Sequence, residues 1–251
     1  MKKILFIGII TLLTILSCKK SYNDSVNGYE YPFIEHPIKT ISFISDNYYW
    51  TYYYDNRNRL IKVLETNGSY DLYTYSNNII VIDYFDSLGN SQHKDSLFLD
   101  VRGLVKIVKP YYRVNDTSQF VFTDTTEYFY NSDGYCIKEI IHSEDTCKDY
   151  LTFTITEGNT DHWTVLSPCW PYNNHELYYV FYKDSLNTIG NSYRGMSFWG
   201  RDNKNPMKTG FTKHDDGTII QQGIYTYIYN GMGLIEQLNL FGTPWNRFTY
   251  Y

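Results

Sequence analysis

The chain has 251 residues, of which 43% are hydrophobic and 19% aromatic, with 28 tyrosines, and its formal net charge is −5. Aromatic residues at this density bury enough apolar surface to exclude an intrinsically disordered chain. The acidic balance and the scattered Lys and Arg argue against a nucleic-acid-binding protein, which concentrates positive charge to displace counterions from phosphate. The composition therefore indicates one large or two small folded domains.

Residues 1–17 have the pattern of an export signal. Lys2 and Lys3 are followed by an apolar stretch from Ile4 to Leu16. At a rise of about 1.5 Å per residue this stretch covers roughly 20 Å, which is shorter than the hydrocarbon core of a bilayer, about 30 Å. The pattern therefore predicts a signal peptide rather than an anchor helix.

The residues around Cys18 indicate a membrane attachment. Ile15, Leu16 and Ser17 resemble the lipobox of bacterial lipoproteins, in which the cysteine thiol receives a diacylglycerol and becomes the mature N-terminus. The alternative is an ordinary secretory signal in which Cys18 is incidental. Two or three acyl chains on Cys18 would hold the protein stably on a bilayer. Because Lys19 follows instead of Asp, the resemblance implies an outer-membrane lipoprotein, on either the periplasmic face or the cell surface.

The mature chain divides into a tether and one domain. Residues 18–39 carry Gly28, Pro32 and Pro37 without hydrophobic periodicity, as in a flexible spacer. From Thr40 onward, short segments rich in aromatic and β-branched residues alternate with turn residues, which predicts an all-β domain over 40–251. We expect a curved antiparallel meander built from hairpins, closing toward a partial barrel or a sandwich.

A repeated turn pattern supports the hairpin interpretation. Each copy begins with Asp or Asn, whose side chain can accept hydrogen bonds from backbone N–H groups two residues later. Three residues further on comes Gly or Asn, the types that tolerate a positive φ. This is the chemistry of a hairpin loop built on a type I turn. The predicted turn residues are Asp55 with Asn58, Asn131 with Gly134, and Asn230 with Gly233.

The same motif carries a family resemblance. The Tyr-Asp or Tyr-Asn turns followed by alternating strands are similar to the YD repeat of RHS-type proteins. The chain more closely resembles a family of lipoproteins of unknown function from Gram-negative gut anaerobes, which carry a few degenerate YD-like hairpins behind a lipobox. The resemblance implies a curved antiparallel sheet in an anchored, exported protein, and it brings no catalytic residue with it. Its residues are 54–60, 130–136, 187–191, 194–200 and 225–238.

The sequence contains no motif that identifies an enzyme. It has no Gly-x-Ser-x-Gly elbow, His-Glu-x-x-His helix, phosphate loop or dinucleotide fingerprint. The segment 214–217, His-Asp-Asp-Gly, is better interpreted as a polar hairpin tip than as a metal site. We therefore predict a non-enzyme with no cofactor and no metal. An acidic pair of a glycoside hydrolase remains an alternative, because its spacing is set in three dimensions; the carboxylates considered are Glu35, Glu144 with Asp145, and Glu157 with Asp161.

Three thiols remain after lipidation of Cys18. Cys136 and Cys147 could face each other across a hairpin, or either could join Cys169. In a strictly anaerobic setting all three could instead stay reduced as small buried residues. The spacing leaves these alternatives open.

Aromatic residues offer the clearest candidate ligand surface. Tyr and Trp present flat apolar faces with a polar edge, which suits stacking on a glycan or on an envelope protein. Packing within the sheet is the alternative role. We predict a non-enzymatic binding or structural module, with a glycan-binding accessory lipoprotein and an envelope hydrolase as alternatives. The candidate ligand-binding residues, from irregular stretches at 157–174 and 187–206, are Trp163, Trp170, Tyr172 and Trp199.

Overall fold

The computed structural model describes residues 35–113, 120–122, 124–143, 147–170, 174–194 and 196–251. The predicted signal peptide, Cys18 and most of the predicted tether lie outside the described residues, as does Tyr172. Within the described part, seventeen β-strands account for nearly all regular structure. They are β1 (Ile38–Phe43), β2 (Tyr48–Tyr54), β3 (Leu60–Glu65), β4 (Tyr70–Ser76), β5 (Ile79–Phe85), β6 (Ser91–Leu99), β7 (Val105–Arg113), β8 (Phe120–Phe122), β9 (Thr125–Tyr130), β10 (Cys136–His142), β11 (Lys148–Thr156), β12 (Asn159–Leu166), β13 (His175–Phe181), β14 (Met207–His214), β15 (Ile219–Tyr229), β16 (Ile235–Leu240) and β17 (Thr243–Tyr250).

The strands form one closed antiparallel barrel. Apart from β8 and β9, each strand pairs with the next in the chain, and β1 pairs with both β2 and β17, so the sheet returns to its own first strand. β8 and β9 both pair with β7, at different points along it. The seventeen segments therefore fill sixteen positions around the ring. The predicted all-β antiparallel meander is confirmed, and its curvature runs to full closure rather than to an open sheet.

Along each strand, side chains face the lumen and the outer wall in turn, because successive side chains point to opposite faces of a sheet. In β5, Ile80 and Ile82 are buried in the lumen, whereas Asp83 pairs with Lys94 on the outer wall at 2.6 Å. In β2, Tyr52 is buried and Tyr53 is exposed. In these two strands apolar and aromatic side chains face the lumen, and the outer wall carries both charged and exposed side chains.

The barrel has two distinct ends, because consecutive antiparallel strands place every second connection at the same end. At one end lie the turns 55–59, 100–104, 131–135 and 230–234, together with the long connection 182–206. We call this the plug end. We call the other end the disulfide end. There a disulfide between Cys147 and Cys169, with Cα atoms 6.1 Å apart, joins the connection before β11 to the connection after β12.

The turns at the plug end share one hydrogen-bond pattern. The Asp55 carboxylate accepts from the N–H groups of Arg57 and Arg59 at 2.9 and 3.0 Å, and Asn58 has φ +58°. Although burial opposes it, these N–H groups and the Arg59 guanidinium lower the pKa of Asp55. The side-chain oxygens of Asn131 and Asn230 accept in the same way, and Gly134 and Gly233 have φ +87° and +76°.

The connection 182–206, here called the plug, folds back into the lumen. A sixteen-position barrel is wide enough to leave a channel, so its wall side chains alone cannot meet across it. The plug supplies the missing apolar volume: Phe198 is fully buried against Ile80, Leu97 and Val105. Met196 contacts the core clusters on both sides of the lumen.

Hydrogen bonds fix the plug to the turns around it. The N–H of Arg201 donates to the carbonyl of Gly134 and that of Lys204 donates to the carbonyl of Gly158, each at 2.8 Å. The buried side chains of Asn159 and Asn205 are joined by a hydrogen bond of 3.0 Å. The plug is therefore a built-in part of the barrel.

One expectation from the sequence is wrong. The stretch 157–166 was expected to be irregular, but β12 occupies Asn159–Leu166 after a tight turn at Glu157 and Gly158. The polar residues Asn159 to His162 hide the strand pattern. Asn159 bonds to Asn205 of the plug, and His162 stacks on Tyr178 on the outer wall, so neither contacts the apolar core. The later stretch, 187–206, is irregular as expected, with two short 3₁₀ segments.

Candidate functional site

A cavity of about 460 Å³ lies in the lumen between the plug and the wall formed by β11 to β15. Its volume falls within the range of small-molecule sites, roughly 300–1,000 Å³. The strands contribute an aromatic side and the plug contributes a polar side. The aromatic side consists of Phe153, Trp163, Tyr179 and Tyr227, and the polar side of Asn187, Arg194, Asp202, Asn203 and Asn205.

The aromatic side is held rigidly by contacts between neighbouring strands. Phe153 and Trp163 lie opposite each other on β11 and β12, and their rings are nearly parallel with centroids 5.4 Å apart. The indole N–H of Trp163 donates to the Tyr179 hydroxyl at 3.0 Å. The Tyr227 hydroxyl donates to the carbonyl of Met207 at 2.8 Å. These bonds occupy the polar edges of the rings and fix their positions beside the cavity.

The amide side chains of the plug are already used for folding. Asn205 donates to the carbonyls of Lys183 and Ser185 at 3.1 and 2.6 Å. The Asn203 side-chain oxygen accepts from the N–H of Thr160 at 2.5 Å, and Asn187 donates to the carbonyl of Asn203 at 3.1 Å. These residues shape the cavity, and few of their amide groups are left to form hydrogen bonds with a ligand.

Arg194 and Asp202 each have hydrogen-bonding atoms that no described residue uses. The Nε of Arg194 donates to the carbonyl of Ile189 at 3.1 Å, and in the described part of the chain its two terminal nitrogens have no acceptor. One oxygen of Asp202 accepts from the N–H of Asn191, and no described residue donates to the other oxygen. No ion pair joins the two side chains among the described residues. A guanidinium and a carboxylate thus border the same cavity separately.

The position of Asp202 depends on a glycine. A Cβ atom at Gly190 would lie 2.5 Å from the Asp202 carboxylate and 2.9 Å from its Cβ, closer than van der Waals contact allows. Burial raises the pKa of Asp202 to about 6, against the opposing effects of the Asn191 N–H and of Arg194. The carboxylate is therefore held against the plug backbone in a place where little water reaches it.

Arg194 also influences the centre of the lumen. Burial raises the pKa of Tyr52 to about 12, and the positive charge of Arg194 opposes that rise. Arg194 opposes the pKa increases of Tyr54 and Tyr73 in the same way. Its charge therefore acts on the β2 and β4 walls as well as on the cavity.

A second polar cluster lies on the opposite side of the ring, on β3 to β6. His93 and the Tyr84 hydroxyl both contact the Asp95 carboxylate, at 2.6 and 3.0 Å. Burial, together with the charges of Glu65 and Asp95, raises the pKa of Asp71 to about 7. This cluster is separate from the cavity, since none of its residues lines it.

The predicted aromatic residues do not form one surface. Trp163 lines the cavity from β12, whereas Trp199 packs against Phe198 of the plug and Tyr128 of β9. Trp170 is 51% exposed, one residue after Cys169 at the disulfide end. Tyr172 lies outside the described residues.

The remaining predicted residues lie in separate places. Cys147 is bonded to Cys169, and Cys136 is a free thiol whose pKa is raised to about 12 by burial. Glu157 forms an exposed ion pair with Lys183 at 3.1 Å. Residues 215–217 form an exposed turn in which Gly217 has φ +84°. Glu144 and Asp145 lie outside the described residues, as does Cys18.

Sequence reasoning missed most of the cavity. Phe153, Tyr179 and Tyr227 were part of the strand pattern, and nothing local marked which of their faces would line a ligand site. Arg194 and Asp202 were not singled out, although both lie in the irregular stretch that was expected to hold functional residues. Charged residues inside an otherwise apolar irregular stretch are the signal that could have found them.

Neither a metal site nor a membrane-crossing helix is found among the described residues. No three His, Cys, Asp or Glu side chains there are grouped so that they could hold a metal ion. None of the helical segments there has the length and hydropathy of a membrane-crossing helix.

Comparison with known proteins supports the fold. No protein-family model and no curated protein matches the chain. A porin-like protein from Bacteroides uniformis is 13% identical, over 88% of this chain and 100% of its own, with a TM-score of 0.59. A porin-like protein from Bacteroides vulgatus is 10% identical, over 86% and 98%, with a TM-score of 0.56. A TcdB2-TccC3 structure is 14% identical over 80% of this chain and 10% of its own, and its TM-score of 0.37 is too low to show a shared fold. The chain is therefore similar in fold to the two porin-like proteins.

Proposed function

We propose that the protein is a non-enzymatic binding module of the cell envelope that takes a small molecule into the lumenal cavity. The observation that carries this proposal is the cavity itself, because a plug that served only to fill the barrel would leave no such space. A rigid aromatic side faces a polar side with two uncommitted charged groups. Such sites, apolar with a few placed polar groups, are typical of ligand binding.

The proposed attachment to the envelope rests on the sequence around Cys18. The lipobox-like residues before it support lipidation, and the residues that follow give a tether long enough to keep the barrel off the membrane. The first strand begins at Ile38, at the plug end, so the tether joins the barrel there. We infer an outer-membrane lipoprotein related to the YD-hairpin lipoproteins that the sequence resembles.

The outer wall carries ion pairs as well as exposed apolar side chains. Ion pairs lie on the outward face of several strands, including Lys94 with Asp83 at 2.6 Å and Lys213 with Glu176 at 3.3 Å. A charged side chain on a lipid-facing strand costs about 2–4 kcal/mol near the bilayer midplane. The same wall exposes apolar side chains, among them Tyr53, Val180 and Ile228. The proposal therefore places the membrane contact at the acyl chains on the strength of the residues around Cys18.

Two experiments test the proposal. In the first, the purified protein is screened against small molecules by thermal shift and tryptophan fluorescence. We expect at least one ligand whose affinity falls for Trp163→Ala and is unchanged for Trp170→Ala, an exposed tryptophan outside the cavity. A library that yields no ligand, or an equal loss for both variants, would contradict the proposed binding site.

The second experiment tests the anchor. Labelled palmitate should enter the wild-type protein in cells and should not enter Cys18→Ala. Equal labelling of the two proteins would rule out lipidation at Cys18, while leaving the cavity proposal standing.

A second candidate function, an envelope hydrolase, is favoured by one observation. Asp71 has a pKa raised to about 7 beside Glu65 and Asp95, and a carboxylic acid that stays protonated near neutral pH can act as a general acid. Substrate screening would support this role only if turnover appears and is abolished by Asp71→Asn. Turnover that survives this substitution would exclude Asp71 as the acid.

A further inference from the structure

We propose that the ligand of the lumenal cavity is a neutral saccharide, whose hydroxyl groups bind Arg194 and Asp202 and whose ring lies against Trp163. This inference rests on the proposed function, because it takes the cavity to be the binding site. It adds the chemical class of the ligand and the residues that recognise it.

The first argument concerns the two charged groups. Arg194 presents donors only, and the unpaired oxygen of Asp202 presents an acceptor. A ligand that satisfies both must accept and donate hydrogen bonds. A hydroxyl group does both, and a saccharide carries several hydroxyl groups on adjacent carbons. Because Arg194 and Asp202 carry opposite charges, the site has no net charge that would favour a charged ligand.

The second argument concerns the aromatic side. Four aromatic residues from four strands line the cavity, and Trp163 is fixed by its ring contact with Phe153 and its bond to Tyr179. The C–H face of a sugar ring is apolar and packs on such flat surfaces, while its hydroxyl groups point sideways toward polar partners. The Tyr179 hydroxyl accepts from Trp163 and keeps its own proton for a ligand, since it has no other partner within the described residues.

The third argument separates a saccharide from an amino acid or a short peptide, which would also suit one cation and one anion. An ammonium group has three donors, and each needs an acceptor when it is buried. The carbonyls of Lys183, Ser185 and Ile189 in the plug already accept from side chains of the plug. An ammonium group would therefore find the Asp202 carboxylate and few other acceptors. A sugar hydroxyl that does not reach Asp202 can instead accept from Arg194 or from the Tyr179 hydroxyl, which an ammonium group cannot do.

The fourth argument is positional. Gly190 leaves room for the Asp202 carboxylate at a point where any side chain would displace it. A carboxylate placed in this way, with one oxygen fixed by a backbone N–H, is oriented in advance for a ligand.

The test is a binding measurement on the purified full protein. The probes are a glycan array, followed by calorimetry with the neutral mono- and oligosaccharides that bind, and a parallel panel of amino acids and dipeptides. We expect saccharide binding that falls about 10- to 100-fold in Asp202→Asn and in Arg194→Lys, because each loses a hydrogen bond to a charged group. Arg201→Gln and Asp184→Asn, which remove exposed charges of the plug, should bind as the wild type does.

The outcomes distinguish the two proposals. Binding of an amino acid or dipeptide that depends on Trp163 and Arg194, with no saccharide bound, would overturn the saccharide inference and leave the proposed function intact. Binding of no compound from either panel or from the small-molecule library would overturn both. Unfolding curves of each variant exclude loss of fold as the cause. If Asp202→Asn does not fold, Arg194→Lys provides the same test.

Discussion

The hydroxyl oxygen of Thr188 in the plug accepts a hydrogen bond of 2.8 Å from the backbone N–H of Ile235, the first residue of β16. Both residues are almost completely buried. The N–H of a strand's first residue is normally satisfied by a neighbouring strand or by water, and here the plug satisfies it. The plug therefore completes the hydrogen bonding of the barrel wall as well as filling the lumen.

Thr188→Val tests that relationship. The substitution keeps the shape of the side chain but removes the acceptor, so the buried N–H of Ile235 is left unsatisfied, at a cost of about 1–3 kcal/mol. We expect the free energy of unfolding, measured by urea denaturation, to fall by that amount. Thr188→Ser keeps the hydroxyl and should recover most of the loss. Equal stability of the valine variant and the wild type would show that the bond contributes nothing.

Phe198→Ala tests whether the plug is part of the core. Phe198 is fully buried among residues of β5, β6 and β7, so its removal leaves a void inside the barrel. We expect a loss of about 3–5 kcal/mol in the free energy of unfolding. Leu186→Ala, at a plug residue that is 55% exposed, should have little effect. A loss below about 1 kcal/mol for Phe198→Ala would indicate a plug that is only loosely held.

Gly233→Ala and Gly231→Ala form a matched pair in one turn. A Cβ atom at either position would meet no other atom within 4 Å, but only Gly233 has a positive φ, +76°. We expect Gly233→Ala to cost about 1 kcal/mol through backbone strain. Gly231→Ala should be neutral or slightly stabilising, because it lowers the entropy of the unfolded chain. Equal effects in thermal melts would show that the left-handed residue is not needed in this turn.

The contrast between turns and closure explains how much of the fold the sequence predicts. The turn at Asp55 and Asn58 is encoded within five residues, by a side-chain acceptor and a residue that tolerates positive φ. Closure depends on Ile41 of β1 lying opposite Phe248 of β17, at the other end of the chain. No local pattern encodes that pairing, so the meander could be predicted from the sequence and the complete ring could not.

The candidate site shows the same division. Trp163 could be selected because its residue type suits ligand stacking, but it was assigned to a loop and it lies on a strand. Arg194 and Asp202 are brought to the cavity by the fold of the plug. A shift of one residue in strand register would turn every lumenal side chain outward. The face of each aromatic residue is therefore known only once the pairing is known.

The disulfide should stabilise the end of the barrel that lies opposite the plug. Cys147 and Cys169 are separated by 22 residues, and closing a loop of that size stabilises a protein by roughly 3 kcal/mol. We expect the double variant Cys147→Ser/Cys169→Ser to lose about that amount in urea denaturation. A reductant should destabilise the wild type by the same amount and leave the double variant unchanged. If the reductant does not change the wild type, the two thiols are not joined in solution.

Asp71→Asn should change the pH dependence of stability. Burial and the charges of Glu65 and Asp95 raise the pKa of Asp71 from 3.8 to about 7, so the folded protein binds this proton more tightly than the unfolded chain does. Stability from this group is therefore present below about pH 4 and is lost as the pH rises toward 7. After discounting for partial exposure, the loss is about 1–2 kcal/mol above pH 7. Asp71→Asn carries no charge, so its melting temperature should exceed that of the wild type by about 3–6 °C at pH 8.

The comparison at low pH is decisive for Asp71. At pH 4 the carboxyl group is largely protonated in the folded protein and resembles the amide, so the two proteins should melt at nearly the same temperature. Asp184→Asn, which removes an exposed carboxylate from the plug, should not show a difference that grows with pH. A constant difference between Asp71→Asn and the wild type from pH 4 to pH 8 would mean that packing, and not the buried charge, is responsible. A difference that grows between these limits would identify Asp71 as a carboxylate that the folded barrel disfavours.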